Sequence, residues 1–173
     1  MRIKPSLSHE QKEEVVKEYA SKHNLEVMVE TGVFDGKMIS GTKDFFRETH
    51  SVELIKEYYD KAVEKFKDCT NVNLYNGDSS LLLNDISILK DINCLIWLDA
   101  HDGKQSPVLK ELEVIFSMSE NEHIILIDDM RNFDHRKGYP NISKVKELIL
   151  LKRPHWDIEI SDDIMRAGKN IKM

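Results

Sequence analysis

Two runs of four or more apolar residues lead straight into acids: Cys94-Leu95-Ile96-Trp97-Leu98 and Ile124-Ile125-Leu126-Ile127. The first runs into Asp99 and the second into Asp128-Asp129. A strand with one wet face alternates apolar and polar side chains, so an unbroken apolar run reads as a strand covered on both faces. Elsewhere the period changes. Ile55, Tyr58, Tyr59, Ala62, Val63 and Phe66 recur at helical steps, as do Val108, Leu109, Leu112, Ile115 and Phe116. Buried strands alternating with amphipathic helices predict an α/β fold: a doubly wound, mostly parallel Rossmann-like sheet with helices on both faces.

The remaining segments fit that plan. A helix is expected from Ser8 towards Lys22, with Glu10 to Glu14 favouring its N-terminus. Leu25–Glu30 reads as the first core strand, and Thr49–Leu54 finishes the second. Met38–Phe46 combines a helical turn with an apolar strand start, and the residues alone do not divide it. Val72–Tyr75 is a short strand turned by Asn76-Gly77-Asp78, and Leu81–Leu89 has helical spacing. His123–Ile127 is the most strand-like stretch. A polar loop over Arg131–Pro140 precedes a helix over Ile142–Leu151. Trp156–Ile160 and Ile164–Ala167 are expected to close the fold as an antiparallel hairpin around Ser161-Asp162-Asp163. At 173 residues the chain has room for one domain, with residues 1–24 an N-terminal helical segment and 25–173 the core.

Charge narrows the partners. A net charge of -6 argues against nucleic acid, whose phosphates select a basic surplus. No apolar run approaches the ~20 residues of a membrane helix, and the first residues lack the apolar stretch of a signal peptide. Cys69 and Cys94 show neither CxxC nor zinc spacing and read as small hydrophobes. The expected setting is cytoplasmic.

Ligands of an open α/β sheet bind beyond the carboxyl ends of its strands. Here those ends carry Glu30, Glu53, Asp78, Asp99 and Asp128-Asp129. In Glu30-x-Gly32-x-x-x-Gly36 the glycines permit a tight turn and close backbone approach, and Glu30 could accept a hydrogen bond from a ligand ammonium group. A plain glycine-rich turn is the competing reading. The GxGxxG spacing of a dinucleotide site is absent, which weakens NAD. Glu53 follows the turn at the distance suited to ribose hydroxyls, or is a solvated charge at a helix start.

Asp99, Asp128 and Asp129 bring three carboxylates to one sheet edge, a donor set for Mg²⁺ or Ca²⁺. Close unpaired carboxylates repel or take up protons, so a cation is one solution. In the other reading Asp128 and Asp129 cap a turn while Asp99 touches the cofactor. In the run Asp99-Ala100-His101-Asp102-Gly103-Lys104, His101 or Lys104 could take a proton from an acceptor hydroxyl, or His101 is merely exposed. Arg131–Pro140 is the one dense basic cluster, placed for phosphate, carboxylate or sugar-nucleotide recognition or else solvated.

Taken in order, Glu-Thr-Gly-Val-Phe-Asp-Gly, Ser-Val-Glu-Leu, Asn-Val-Asn-Leu-Tyr-Asn-Gly-Asp-Ser, Leu-Ile-Trp-Leu-Asp-Ala-His and Ile-Ile-Leu-Ile-Asp-Asp resemble the class I S-adenosylmethionine-dependent methyltransferases, over Leu25–Ala167. The resemblance implies that Glu30, Gly32 and Gly36, with Thr31 among the cofactor-binding residues, hold the methionine part. It places Glu53 on the ribose, Asp78 with Ser79 beside the adenine, and Asp99 at the cofactor. The acid pattern is similar to metal-dependent O-methyltransferases, which implies Asp99, Asp128 and Asp129 as Mg²⁺ ligands. In the catechol-type members a Lys shortly after the fourth-strand Asp acts as base, and Lys104 stands further along than that spacing.

The expected activity is O-methylation of a small-molecule or glycan hydroxyl. The chain is close to a bare core, so an open site or a homodimer is expected. Two rival readings are a metal-assisted hydrolase of a nucleotide or phosphoester and a non-catalytic S-adenosylmethionine-binding module.

Overall fold

The computed structural model describes residues 6–102 and 104–172. One seven-stranded sheet runs in the order β3-β2-β1-β4-β5-β7-β6. Its strands are β1 Val27–Thr31, β2 Glu48–Glu53, β3 Val72–Asn76, β4 Leu95–Leu98, β5 Ile124–Ile127, β6 Asp157–Ser161 and β7 Ile164–Gly168. β1 to β5 pair in parallel, whereas β7 lies antiparallel between β5 and β6. The helices are α1 His9–His23, α2 Lys37–Thr42, α3 Lys56–Phe66, α4 Ser79–Leu82, α5 Ile88–Asp91, α6 Val108–Met118 and α7 Ile142–Lys152. None of the described helices is long and apolar enough to cross a membrane.

The strand order reverses between β1 and β4. Connections leave that pair in opposite directions, which opens a crevice above their carboxyl ends. Alternation in the central strands builds two cores. Ile96, Leu98, Ile125 and Ile127 face α6 and α7 through Leu112, Ile115, Val145 and Ile149. Leu95, Trp97, Ile124 and Leu126 face α1 through Val16, Tyr19 and Ala20. The apolar runs are thus dry on both sides, as period-two side chains require.

α1 begins with a capping box. Gln11 N–H donates to Ser8 Oγ at 3.3 Å, and the Ser8 N–H donates to Gln11 Oε1 at 2.9 Å. Its core face, Val16, Tyr19 and Ala20, runs back one turn to Lys12, which fixes where that lysine reaches.

Two ambiguous segments resolve differently from their apolar spacing. Leu81–Leu89 is not one helix: α4 is followed by a 3₁₀ turn at Leu83–Asp85 and then by α5. Leu83, Ile86 and Leu89 are all buried, and their three-residue step suits tight turns, while Asn84 and Asp85 compete with helical backbone bonds. Phe46 ends the α2 turn rather than starting β2. Its N–H donates to Thr42 O at 3.3 Å and its ring fills the α1 face. In the closing hairpin Asp162 and Asp163 both have positive φ (50° and 70°), as a two-residue primed turn demands.

Ser8→Ala removes one half of the cap and is expected to lower stability by about 1 kcal/mol in urea unfolding. An unchanged midpoint would show that α1 is held by its apolar face alone.

Candidate active site

The crevice is built first by its turn. After Thr31 the chain bends at Gly32, whose φ of +91° excludes most side chains. Its N–H donates to Val52 O at 2.8 Å, and a Cβ there would stand 3.0 Å from Asp99 O. The β1 turn therefore lies directly against the end of β4. Phe34, also left-handed at φ 49°, donates its N–H to Glu53 Oε2 at 2.9 Å, while Ile55 N–H reaches Oε1 at 2.8 Å. Glu53 thus ties the glycine turn to the end of β2. Gly36 braces the far side, where a Cβ would meet the Phe66 ring at 2.8 Å.

Gly32, Glu53, Asp78, Ser79, Asp99 and His101 line one pocket of about 680 Å³, within the size range of small-molecule sites. Glu30 and Thr31 are buried behind this wall rather than in it. Ser51 Oγ donates to Glu30 at 2.5 Å, and burial pushes the Glu30 carboxyl up to about 8. Asp78 caps α4 by accepting from Ser80 N–H at 2.9 Å and Ser80 Oγ at 2.7 Å. Ser79 Oγ donates to Glu111 Oε1 at 2.5 Å, and burial raises Glu111 to about 7. Glu111 had no motif to mark it, being one acid of an amphipathic helix.

The acids beyond β4 and β5 are not equivalent. Lys12 of α1 forms an ion pair and hydrogen bond with Asp128 Oδ2, and both side chains are nearly enclosed. Asp128 Oδ1 accepts the Asp129 N–H at 2.7 Å. Burial raises the Asp128 carboxyl while Lys12 opposes the rise; Asp99 is raised by burial and then by Asp128 and Asp129. Arg131 NH2 meets Asp129 Oδ1 at 2.7 Å, and its NH1 pairs with Asp163. Asp163 also accepts the Arg131 N–H at 2.6 Å.

Among the described residues, two sets bring one ligand atom each within 4.8 Å of one another: Asp99, His101 and Asp129, and Asp128, Asp129 and Asp163. In the second set Asp128 and Asp163 already hold Lys12 and Arg131, so the first fits a cation better. The three acids marked in the sequence therefore share an edge, but Asp128 turns to Lys12 and His101 joins the other two. His101 Nε2 lies 3.8 Å from Asp129 Oδ2. Lys104 is exposed and outside the pocket wall. Arg131, the head of the basic loop, is taken up by Asp129 and Asp163. Lys12 was findable: it lies one turn before Val16 on the buried face.

No protein-family model matches the chain, and no curated protein matches it. Solved structures do. An O-methyltransferase from Bacillus cereus, in complex with S-adenosylhomocysteine (SAH), aligns at TM-score 0.68 and 13% identity, covering 92% of this chain and 81% of that one. SAH-bound methyltransferase PaMTH1 of Podospora anserina gives 0.67 and 16%, covering 92% and 78%. TomG of Streptomyces achromogenes, an O-methyltransferase in complex with S-adenosylmethionine, gives 0.64 and 12%, covering 92% and 79%. The fold is that of the class I S-adenosylmethionine-dependent methyltransferases, closed by the antiparallel β5-β7-β6 arrangement.

The Glu30 carboxyl sets a pH dependence. In the fold, burial pushes its pKa up to about 8, whereas the unfolded chain ionises near the ordinary 4.5. Between those values the unfolded state binds fewer protons, so this group's contribution to stability declines as pH rises. Glu30→Gln should flatten that decline in urea midpoints measured from pH 5 to 8. An identical slope in both proteins would contradict the assignment.

Proposed function

We propose that this chain is an S-adenosylmethionine-dependent O-methyltransferase acting on a hydroxyl of a small-molecule or glycan acceptor. The observation that carries the reading is the shared wall: Gly32, Glu53, Asp78, Ser79 and Asp99 come from four strand ends to one pocket at the strand-order reversal. The fold's neighbours named as O-methyltransferases support it.

In this reading Glu53 and Asp78 accept from the ribose and adenine parts, and the backbone at Gly32 allows the close approach that a side chain would block. Glu30 would receive the cofactor ammonium where the ligand reaches behind the wall, since its carboxyl is buried there with Ser51 as donor. Ionising Glu30 and binding that cation then occur together. S-adenosylmethionine supplies an electrophilic methyl on a sulfonium. The protein's part is to hold the acceptor oxygen in line with it, which provides much of the rate. His101 lines the pocket beside Asp129 and is the proposed base for the acceptor proton; Lys104 stays outside.

With a divalent ion bound, Asp99, Asp129 and His101 would be its ligands, and the ion, in place of His101 as base, would lower the pKa of bound acceptor oxygens. The imidazole in that set favours Mn²⁺ over Mg²⁺. Lys12 on Asp128 is the competing cation.

Calorimetry with S-adenosylmethionine and SAH should show saturable binding, weakened about tenfold by Glu53→Ala as ribose contacts are lost. Absence of binding to either compound would sink the reading and leave the hydrolase alternative. Lys12→Met should tighten Mn²⁺ binding about tenfold by freeing Asp128. Unaltered Mn²⁺ affinity would mean that Lys12 does not compete.

A further inference from the structure

α4, which brings Ser79 to the pocket wall, is four residues long. A helix so short has no stability of its own, so its position comes from its neighbours. On one side Gly77 N–H donates to Glu53 O at 2.9 Å, and Leu82 packs on the core below. On the other side the tie is polar. Ser79 donates its hydroxyl to Glu111 Oε1 of α6 at 2.5 Å.

An acid is a costly choice for that tie. Glu111 is 1% exposed and has no ion-pair partner among the described residues. An amide or hydroxyl would span the gap without desolvating a charge. Two features still favour the ionised form: the Ser79 bond, and the place of Glu111 in the first turn of α6, at the positive end of the helix dipole. Burial raises the carboxyl to about 7, against the hydroxyls of Ser79 and Thr31. Among the ionisable groups around it, the Asp78 charge raises it further. Asp99, His101, Asp128, Asp129 and Tyr139 border a small chamber behind the pocket that Glu111 also lines, but the Glu111 hydrogen bond goes to Ser79. A buried acid poised between its two forms, one bond away from a pocket residue, is what a functional site keeps and a purely structural contact does not need.

We propose that Glu111 is a positioning residue for the nucleoside end of the pocket: acting through the Ser79 hydroxyl, its carboxylate holds the Asp78–Ser79 turn in the binding position, and a proton on that carboxylate loosens it. Ionised, Glu111 accepts a charge-assisted hydrogen bond from Ser79. Protonated, it keeps only a neutral one, about half as strong. Nucleoside binding and loss of the Glu111 proton therefore favour one another, so affinity rises with pH through neutrality and binding expels a proton. The role rests on the methyltransferase reading, which puts adenosine against Asp78 and Ser79.

The test is calorimetry with 5′-methylthioadenosine from pH 5 to 9, in buffers of different ionisation heat. That probe carries the nucleoside without the amino-acid part, so ionisation of Glu30 does not enter. Affinity should rise about fivefold across the range, with proton release greatest near neutral pH. Glu111→Gln keeps a polar group on Ser79 but cannot ionise; its affinity should stay at the low-pH level of the parent, with no proton released. Ser79→Ala should also flatten the profile, because Glu111 then has no hydroxyl to hold, and it leaves the buried acid in place should Glu111→Gln fail to fold. A flat profile in the parent overturns the proposal, as does an equal rise in parent and variants. A lower thermal midpoint in Glu111→Gln together with the parent's pH profile would make Glu111 a structural tie only. If SAH binds while the methylthioadenosine profile is flat, the methyltransferase reading stands and the positioning role falls. If neither compound binds at any pH, both fall.

Discussion

The pairing of Lys12 with Asp128 holds the two halves of the site together. A carboxylate at the end of a buried strand has lost water and gained like-charged neighbours, and each effect favours its neutral form. Asp128 is 3% exposed and adjoins Asp129 and Asp99. An ammonium from α1 pairs with Asp128 and opposes that shift there, and it acts in the same direction on Asp99. Removing one partner of such a pair leaves an uncompensated buried charge, so each fixes the other's position. α1 is therefore both a cover for Trp97 and Leu126 and a provider of charge to the sheet edge.

A second consequence falls on Asp129 and Asp163. With Asp128 occupied, Arg131 bridges the remaining two and pins the segment after β5 to the closing hairpin. Asp129 adopts left-handed φ 60° to do so, and Asp163 sits fully buried in a turn that would ordinarily be wet. This ties β7, the antiparallel last strand, to the carboxyl edge of the parallel strands. The hairpin is thus part of the site's support as well as the end of the sheet.

Much of the fold was legible because apolar runs and helical periods are local signals. Ile124–Ile127 and Leu95–Leu98 could only be central strands, and the acids after them had to stand at the carboxyl edge. The placement of Gly32, Glu53, Asp78 and Asp99 on one pocket followed from topology. What the sequence hid was direction. Asp128 and Asp129 are adjacent, yet one faces Lys12 and the other faces His101 and Arg131, since Asp129 leaves extended geometry. Arg131 looked like a ligand donor within a basic loop, and only long-range contact with Asp163 turns it into a brace. Leu81–Leu89 failed as a single helix because three-residue and four-residue apolar steps are hard to separate over so short a run. Glu111 gave no signal at all, because burial of one polar residue in an otherwise ordinary helix leaves no period to read.

The acidic wall of the pocket, with Glu53, Asp78 and Asp99, orders what can bind. In a cleft with low-dielectric walls such charges act at strengths that bulk water would suppress. Burial and its carboxylate neighbours hold Asp99 towards its neutral form, so a cation arriving beside it and the loss of its proton are one event. On the proposed reading that wall favours a sulfonium over the neutral thioether left after transfer. Attraction to the acidic wall therefore falls once the methyl has moved, without any movement of the protein.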